Sequence, residues 1–520
     1  MQTKSKSEFS RQWRSGLVSV SALAKDAKLK ARSLWVAMSC FYLTVKSTLL
    51  PGMAPLFLDK PPSSRRDTQL SPVSICDMES MKASGRGKTT SLPRSHSRRS
   101  LGPLNSDADN VEDVAVAIEL KFLLQLPARG KGPMSQKSAC QGRSFATVPS
   151  DDEHRRLEEG HETIASTIRG IGESAVTSWS IKANNLEERV FWPSHWIVKK
   201  ANSVEPSKEE RSMEGYDWIP TEVCSPKLRS RDRETHRRVE KVLNALSSAH
   251  CLVTNYTCEV HVHLGRMDDK PFSLPTLKRL GTLLWVSEPA LRSIRDPNSP
   301  NYHNIYTWGA ETRRYSRLAQ SLTGQASTDG TAGDLSASNG KVEDVQVAGI
   351  FRNLNRKNVG LKQDVRALQT IWSAASYRDL GLLMSGETQQ YRRLGFNFSA
   401  FGLEDKRAQT NPRTIEFRIM EGTVRSDLIL GWLVICSAVT EAAVLRSDAR
   451  FDNAVSRLLR ELNDPSGGTG SGGSGETLAV RRGREFRELM NDLRVPKAAY
   501  RPFHEKIISQ YLALDRKTKN

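Results

Sequence analysis

Four stretches of the chain alternate apolar and charged residues with a period of two, the pattern of a β-strand with one buried and one polar face. Cys258-Glu-Val-His-Val-His-Leu-Gly265 sets Val260, Val262 and Leu264 on one side and Glu259, His261 and His263 on the other. The run Val116-Ala-Ile-Glu-Leu-Lys-Phe-Leu-Leu124 puts Glu119 and Lys121 two apart, and Thr414-Ile-Glu-Phe-Arg-Ile-Met420 does the same with Glu416 and Arg418. In the extended segment Trp218–Pro226, Glu222 interrupts the apolar positions and Ser225-Pro226 ends the run. Helical spacing takes over elsewhere. Residues 231–250 carry Val239, Val242, Leu243 and Leu246 on one stripe, and Ser273 reads as the N-cap of a helix burying Leu277, Leu280 and Leu284. Val365–Leu383 is moderately helical, and Asp427–Arg446 is apolar nearly all round, which predicts a core helix. Asp452 reads as the cap of a helix with Val455, Leu458, Leu459 and Leu462, and further helices follow over about 477–517. Residues 127–175 are polar and yield no clear element. Strands and helices are mixed without βαβ regularity, so the predicted class is α+β: a curved, mainly antiparallel sheet lining one polar cavity, with helices packed behind it.

Composition divides the chain. Hydrophobic residues make up 38% and the mean hydropathy is −0.49, low for 520 residues packed throughout, so part of the chain is expected to be disordered. Residues 1–110 fit that part. They are basic and rich in Ser and Arg, with 18 Lys and Arg against 8 Asp and Glu, which is +10 of the net +19. Their apolar run at 35–45 is shorter than the roughly 20 residues of a membrane span. It suits a mitochondrial presequence or a weak membrane anchor as alternatives to a disordered extension. The predicted folded domain covers 111–463 with an inserted Gly/Ser/Ala/Asp-rich loop at 321–345. A Gly/Ser linker at 464–476 and a helical C-terminal appendage at 477–520 follow.

Charge and cysteines exclude several functions. The +9 remaining after residue 110 is spread over 410 residues without a nucleic-acid-binding motif, so no nucleic acid is expected on the folded domain. Membrane contact by that domain is not expected either. The seven cysteines are scattered with no Cys-x-x-Cys, which argues against a disulfide framework and a thiolate zinc site. An intracellular, cytoplasmic location is expected, with the mitochondrion as the alternative. Gly87-Lys88-Thr89 is no phosphate loop, because Lys82 stands where the first glycine belongs.

The strand with Glu119, then Glu222-Val-Cys-Ser-Pro226, His261-Val-His263 with Gly265, Thr414-Ile-Glu-Phe-Arg418 and Glu421-Gly-Thr423 together resemble the amidoligases. Lys270-Pro-Phe-Ser-Leu-Pro-Thr-Leu-Lys-Arg-Leu280 and Tyr306-Thr-Trp-Gly309 are similar to the fungal branch of that family. The resemblance covers about Val114 to Arg446. It implies a carboxylate–amine ligase related in fold to glutamine synthetase and glutamate–cysteine ligase, with ATP and Mg²⁺ as cofactors and an acyl-phosphate intermediate. The implied substrates are a small amino acid, a peptide or a protein tail.

Such chemistry needs carboxylates for divalent cations, and Glu119, Glu222 and Glu416 with His261 are the expected metal ligands. The expected catalytic residues are Glu416, Arg418, His261 and His263. A planar guanidinium suits a phosphoryl group, so Arg418 is expected at the nucleotide, together with Lys121, Gly265 and Thr423. Two residues depart from the pattern of the family: Lys121 stands where a second acid is common, and Glu259 where a small residue is. Either fewer cations bind or the lysine meets phosphate directly. Two other readings use the same residues, a metal-dependent hydrolase built on His261 and His263, and a catalytically inactive ligand-binding scaffold.

Overall fold

One long strand, β1 (Val114–Pro127), runs through the middle of a nine-stranded sheet. The other strands are β2 (Ala175–Thr177), β3 (Trp196–Lys200), β4 (Tyr216–Cys224), β5 (Leu228–Arg229), β6 (Leu252–Val253), β7 (Glu259–Arg266), β8 (Phe396–Asn397) and β9 (Ile415–Glu421). The computed structural model describes residues 112–128, 152–302, 309–323, 349, 362–387, 393–402, 413–445, 449–462 and 477–519. The basic segment 1–110, residues 324–345 of the inserted loop and the linker 464–476 lie outside them.

The sheet is open, with the order β2-β3-β4-β1-β7-β9-β8, and β5 and β6 also pair with β1. Every pairing is antiparallel except β2 with β3. The fold is therefore α+β with a mostly antiparallel sheet. Ser225 extends the β1–β4 ladder by one residue: its N–H donates to Ile118 O, and its hydroxyl accepts the Ile118 N–H at 2.9 Å.

The period-two patterns divide the two faces as expected. Val116, Ile118, Leu120, Val260, Val262, Leu264, Ile415 and Phe417 all enter the main apolar core. Against them pack the longer helices α1 (Glu153–Gly170), α2 (Arg233–Ala249), α3 (Leu274–Arg292), α4 (Lys362–Ser373), α5 (Ser426–Val444), α6 (Ala449–Leu462), α7 (Leu478–Asp492) and α8 (Lys497–Lys519). The apolar helix α5 is buried across β1 and β7 as the core helix that its composition predicts. Asp152, Asp232 and Ser273 cap α1, α2 and α3 by accepting backbone N–H groups of the first turn.

Several expectations are corrected. Helix α1 lies in the stretch left without an element, and Asp452 falls inside the first turn of α6 instead of capping it. The helical run Val365–Leu383 is broken, because Ser376 starts a new helix by accepting the Asp379 N–H. Helices α7 and α8 are not an appendage. Phe486, Leu489, Met490, Phe503 and Ile507 are buried in the same core, and Trp432 of α5 lies 6.2 Å from the Phe503 ring. Gly431 lets α5 and α8 meet, since a Cβ there would collide with the Ala499 carbonyl. Among the described cysteines, 224, 258 and 436 are free thiols, whereas Cys251 is disulfide-bonded, a bridge that the scattered spacing did not indicate.

Candidate active site

Opposite the core, the polar faces of β1, β7 and β9 meet. Pairing sets Glu119 across from His261 and His263 across from Glu416, while β4 brings Glu222 opposite Lys121. The β7–β9 register shifts between Val260 and Val262, so Arg418 and Ile419 together span the place opposite His261. That bulge lets Arg418 stay on the polar face while Ile419 and Met420 both enter the core.

His261 is the centre of the network and is fully buried. Its Nε2 lies 3.0 Å from Glu259 Oε2, and its Nδ1 lies 3.1 Å from Glu119 Oε2 and 3.0 Å from Glu416 Oε1. The second oxygen of Glu119 meets His263 Nε2 at 3.0 Å, and Thr414 Oγ1 meets His263 Nδ1 at 3.2 Å. Glu416 accepts from Asn397 Nδ2 at 2.9 Å and pairs with Arg418. Lys121 Nζ stands 3.2 Å from His261 Nδ1, 3.9 Å from Glu119 and 3.8 Å from Glu222. On its other side Glu222 meets Lys199 at 3.4 Å.

This arrangement sets the protonation states. Burial works against charge on Glu119, Glu259, His261, His263 and Glu416, but their contacts outweigh it. Glu119 is held well below the usual carboxylate range by the charge of His263 and hydrogen bonds from both imidazoles. Glu416 is held there by Arg418 and the imidazoles, and Glu259 is lowered by His261, Arg295 and Arg418. His261 is raised to about 9 against burial and against Arg418 and Lys121, because Glu119 and Glu259 both accept from it. The charges of Glu119 and Glu416 raise His263 against its burial. His261 is thus cationic at neutral pH and donates from both ring nitrogens.

A pH dependence of stability follows. Because His261 titrates above its unfolded value of about 6.5, its contribution is complete below that pH and is lost as the pH rises through about 9. His161 and His250 behave oppositely, since burial lowers each to about 4. Their contribution is complete above about 6.5 and is lost as the pH falls towards 4, where the lowered carboxylates add to the loss. The melting temperature of the chain should therefore be highest at about pH 6.5 and decline as the pH rises towards 9 or falls towards 4. A melting temperature that rises steadily from pH 7 to pH 5 would contradict these assignments.

A cavity of about 570 Å³ opens beside the cluster, and Glu119, His263, Gly265, Cys224, Lys199 and Thr414 are among its walls. Six cations line it: Arg189, Lys199, Lys227, Arg266, Lys270 and Arg413, against the acids Glu119, Glu188 and Asp269. The alternation of apolar and charged residues points to none of these cations. Lys199 follows three apolar residues in a five-residue strand, and the other five lie at strand ends or in connections, where no period exists to reveal them.

The structure brings Glu119, Lys121, Glu222, Glu259, His261, His263, Glu416 and Arg418 together. Arg418 is buried and pairs with Glu416, and it is not among the residues of the cavity wall. Gly265 does line the cavity, but its lack of a side chain serves the sheet, since a Cβ would come within 2.9 Å of Thr414 Cγ2. Thr423 is not brought to the cavity. It follows the end of β9 remote from Thr414, and its hydroxyl accepts the Arg425 N–H in the turn before α5. Among the described residues, Glu119, His261 and Glu416 offer ligand atoms within 4.8 Å of one another, as do Glu119, Glu222 and Cys224.

Residues 154–353 match the family model described as Putative amidoligase enzyme. The matched span contains Glu222, Glu259, His261 and His263, while Glu119, Glu416 and Arg418 lie on strands outside it. This similarity supports a ligase-like function. No curated protein matches the chain.

Proposed function

We propose that the chain is an ATP- and Mg²⁺-dependent carboxylate–amine ligase that joins a small amino acid, a peptide or a protein tail to an amine through an acyl phosphate. The observation that carries this reading is the donor set Glu119–His261–Glu416 beneath a cavity rimmed by six cations. Its geometry suits a hard divalent ion, which would take the place of the proton on His261 Nδ1. Ligands about 2.1 Å from an octahedral ion lie about 3 Å from their neighbours. His261 Nδ1 is 3.0 Å from one glutamate oxygen and 3.1 Å from the other. Glu259 on His261 Nε2 and Asn397 on the second oxygen of Glu416 are the outer contacts that orient such ligands. An ion held there would neutralise charge on the phosphate oxygens of the nucleotide.

The remaining roles belong to the residues of the chain. The rim cations attract the triphosphate and the substrate carboxylate, a task for which Arg418 is too deep. Arg418 fixes Glu416 and balances its charge. In the first half-reaction a carboxylate oxygen attacks the γ-phosphorus, and the bond to ADP breaks. In the second, the amine nitrogen attacks the acyl carbon, phosphate leaves and the amine gives up a proton. Glu119 and His263 share a hydrogen bond and both reach the cavity, so they are the members of the cluster placed to take part in that proton transfer.

The test is to incubate the full chain with Mg·ATP and mixed amino acids and to follow nucleotide and amide products together. ADP and phosphate released with amide formation are expected. AMP and pyrophosphate would overturn the acyl-phosphate step, and product without nucleotide, lost on chelating zinc, would support the hydrolase. Glu119→Gln should raise the Mg²⁺ concentration needed for half-activity by roughly tenfold to a hundredfold, measured by varying Mg²⁺ at saturating ATP.

A further inference from the structure

We propose that Lys121 is a tethered cation standing where a second divalent ion would sit, so that the site takes one metal ion and not two. The inference rests on the ligase reading only in treating Glu119, His261 and Glu416 as a cation site; it does not require nucleotide turnover. Two overlapping donor sets are present, Glu119–His261–Glu416 and Glu119–Glu222–Cys224, and they share Glu119. Shared ligands of this kind are how two ions come within about 4 Å of each other. The second set, however, already holds a positive charge. Lys121 Nζ is 3.9 Å from Glu119 and 3.8 Å from Glu222, with His261 Nδ1 of the first set at 3.2 Å.

The position of the ammonium is set by the sheet. Lys121 lies two residues from Glu119 on the same face of β1, and the β1–β4 register sets it opposite Glu222. Its side chain is only 6% exposed, so the charge cannot swing into water without leaving buried carboxylates behind. Lys199 approaches the far side of Glu222 at 3.4 Å, so this carboxylate faces two ammonium groups. A divalent ion entering the second set would have to displace Lys121, the ammonium that reaches both Glu119 and Glu222, while Lys199 meets only the other oxygen of Glu222. Glu222 is therefore the partner of Lys121 and not a metal ligand in the native chain.

The experiment is a Mn²⁺ titration of the full chain without nucleotide, with free Mn²⁺ read by electron paramagnetic resonance. Wild type is expected to bind one Mn²⁺ per chain at the cluster, lost in Glu416→Gln. Lys121→Glu is expected to bind two, and Lys121→Gln to gain a second site at least about tenfold weaker than the first. Lys121→Gln decides the matter if Lys121→Glu fails to show a cooperative melt. Two ions or none in the wild type, or no added site on replacing Lys121, would overturn the proposal. A chain that shows the predicted stoichiometry but turns over no ATP would refute the ligase reading and leave this inference standing.

Discussion

A chain ending at residue 476 is expected to lose cooperative unfolding. Helices α7 and α8 place Phe486, Leu489, Met490, Leu493, Phe503 and Ile507 in the main core, each essentially inaccessible to solvent. Full burial of such a side chain contributes about 1.5–3 kcal/mol, so six of them match or exceed the roughly 5–15 kcal/mol by which folded domains are stable. Deletion also uncovers Trp432, whose ring bridges Phe417 of β9 and Phe503 of α8. Because β9 carries Glu416 and Arg418, the loss would reach the polar cluster. Thermal melting followed by circular dichroism checks this: a deletion chain with a sharp transition at the wild-type temperature would show that the two helices are dispensable.

Glu416→Ala should cost more than any other single change in the cluster. It removes a carboxylate paired with the buried Arg418 and the acceptor for Asn397, and it takes one of the two carboxylates from His261 Nδ1. Breaking a buried ion pair from one side costs about 3–5 kcal/mol, enough to lower the melting temperature by several degrees. Glu416→Gln preserves volume and one acceptor, so it should keep more of the stability while losing cation binding and ligation alike. Comparing melts and activity of the two variants separates the structural role from the chemical one. Glu416→Ala with wild-type melting and turnover would remove Glu416 from both.

The polar cluster was legible because β1, β7 and β9 each carry ionisable residues two apart, a pair in β1 and β9 and three in β7, which mark the face that is not core. Which strands pair was not written in that period. The register that sets Lys121 between Glu119 and Glu222, and the shift that lets Arg418 turn inward to Glu416, depend on contacts between segments far apart in sequence. Strand β3 has only five residues and ends in two lysines, too short a run for alternation to register, so Lys199 was missed. Thr423 was carried by a motif that continues β9 in sequence, yet each residue along a strand adds about 3.3 Å, which takes it away from the Thr414 end. The C-terminal helices were misread for a related reason: a Gly/Ser-rich connection reports its own composition and nothing about where the helices beyond it dock.

The acyl-phosphate step can be tested without knowing the substrate. Amino acids and peptides whose carboxylates carry oxygen-18 would be supplied as a mixture with Mg·ATP and the full chain, and the released phosphate analysed by mass. Transfer of one labelled oxygen from carboxylate to phosphate in each turnover is the predicted result, abolished in Glu416→Gln. Phosphate released in step with amide but carrying no label would contradict the account.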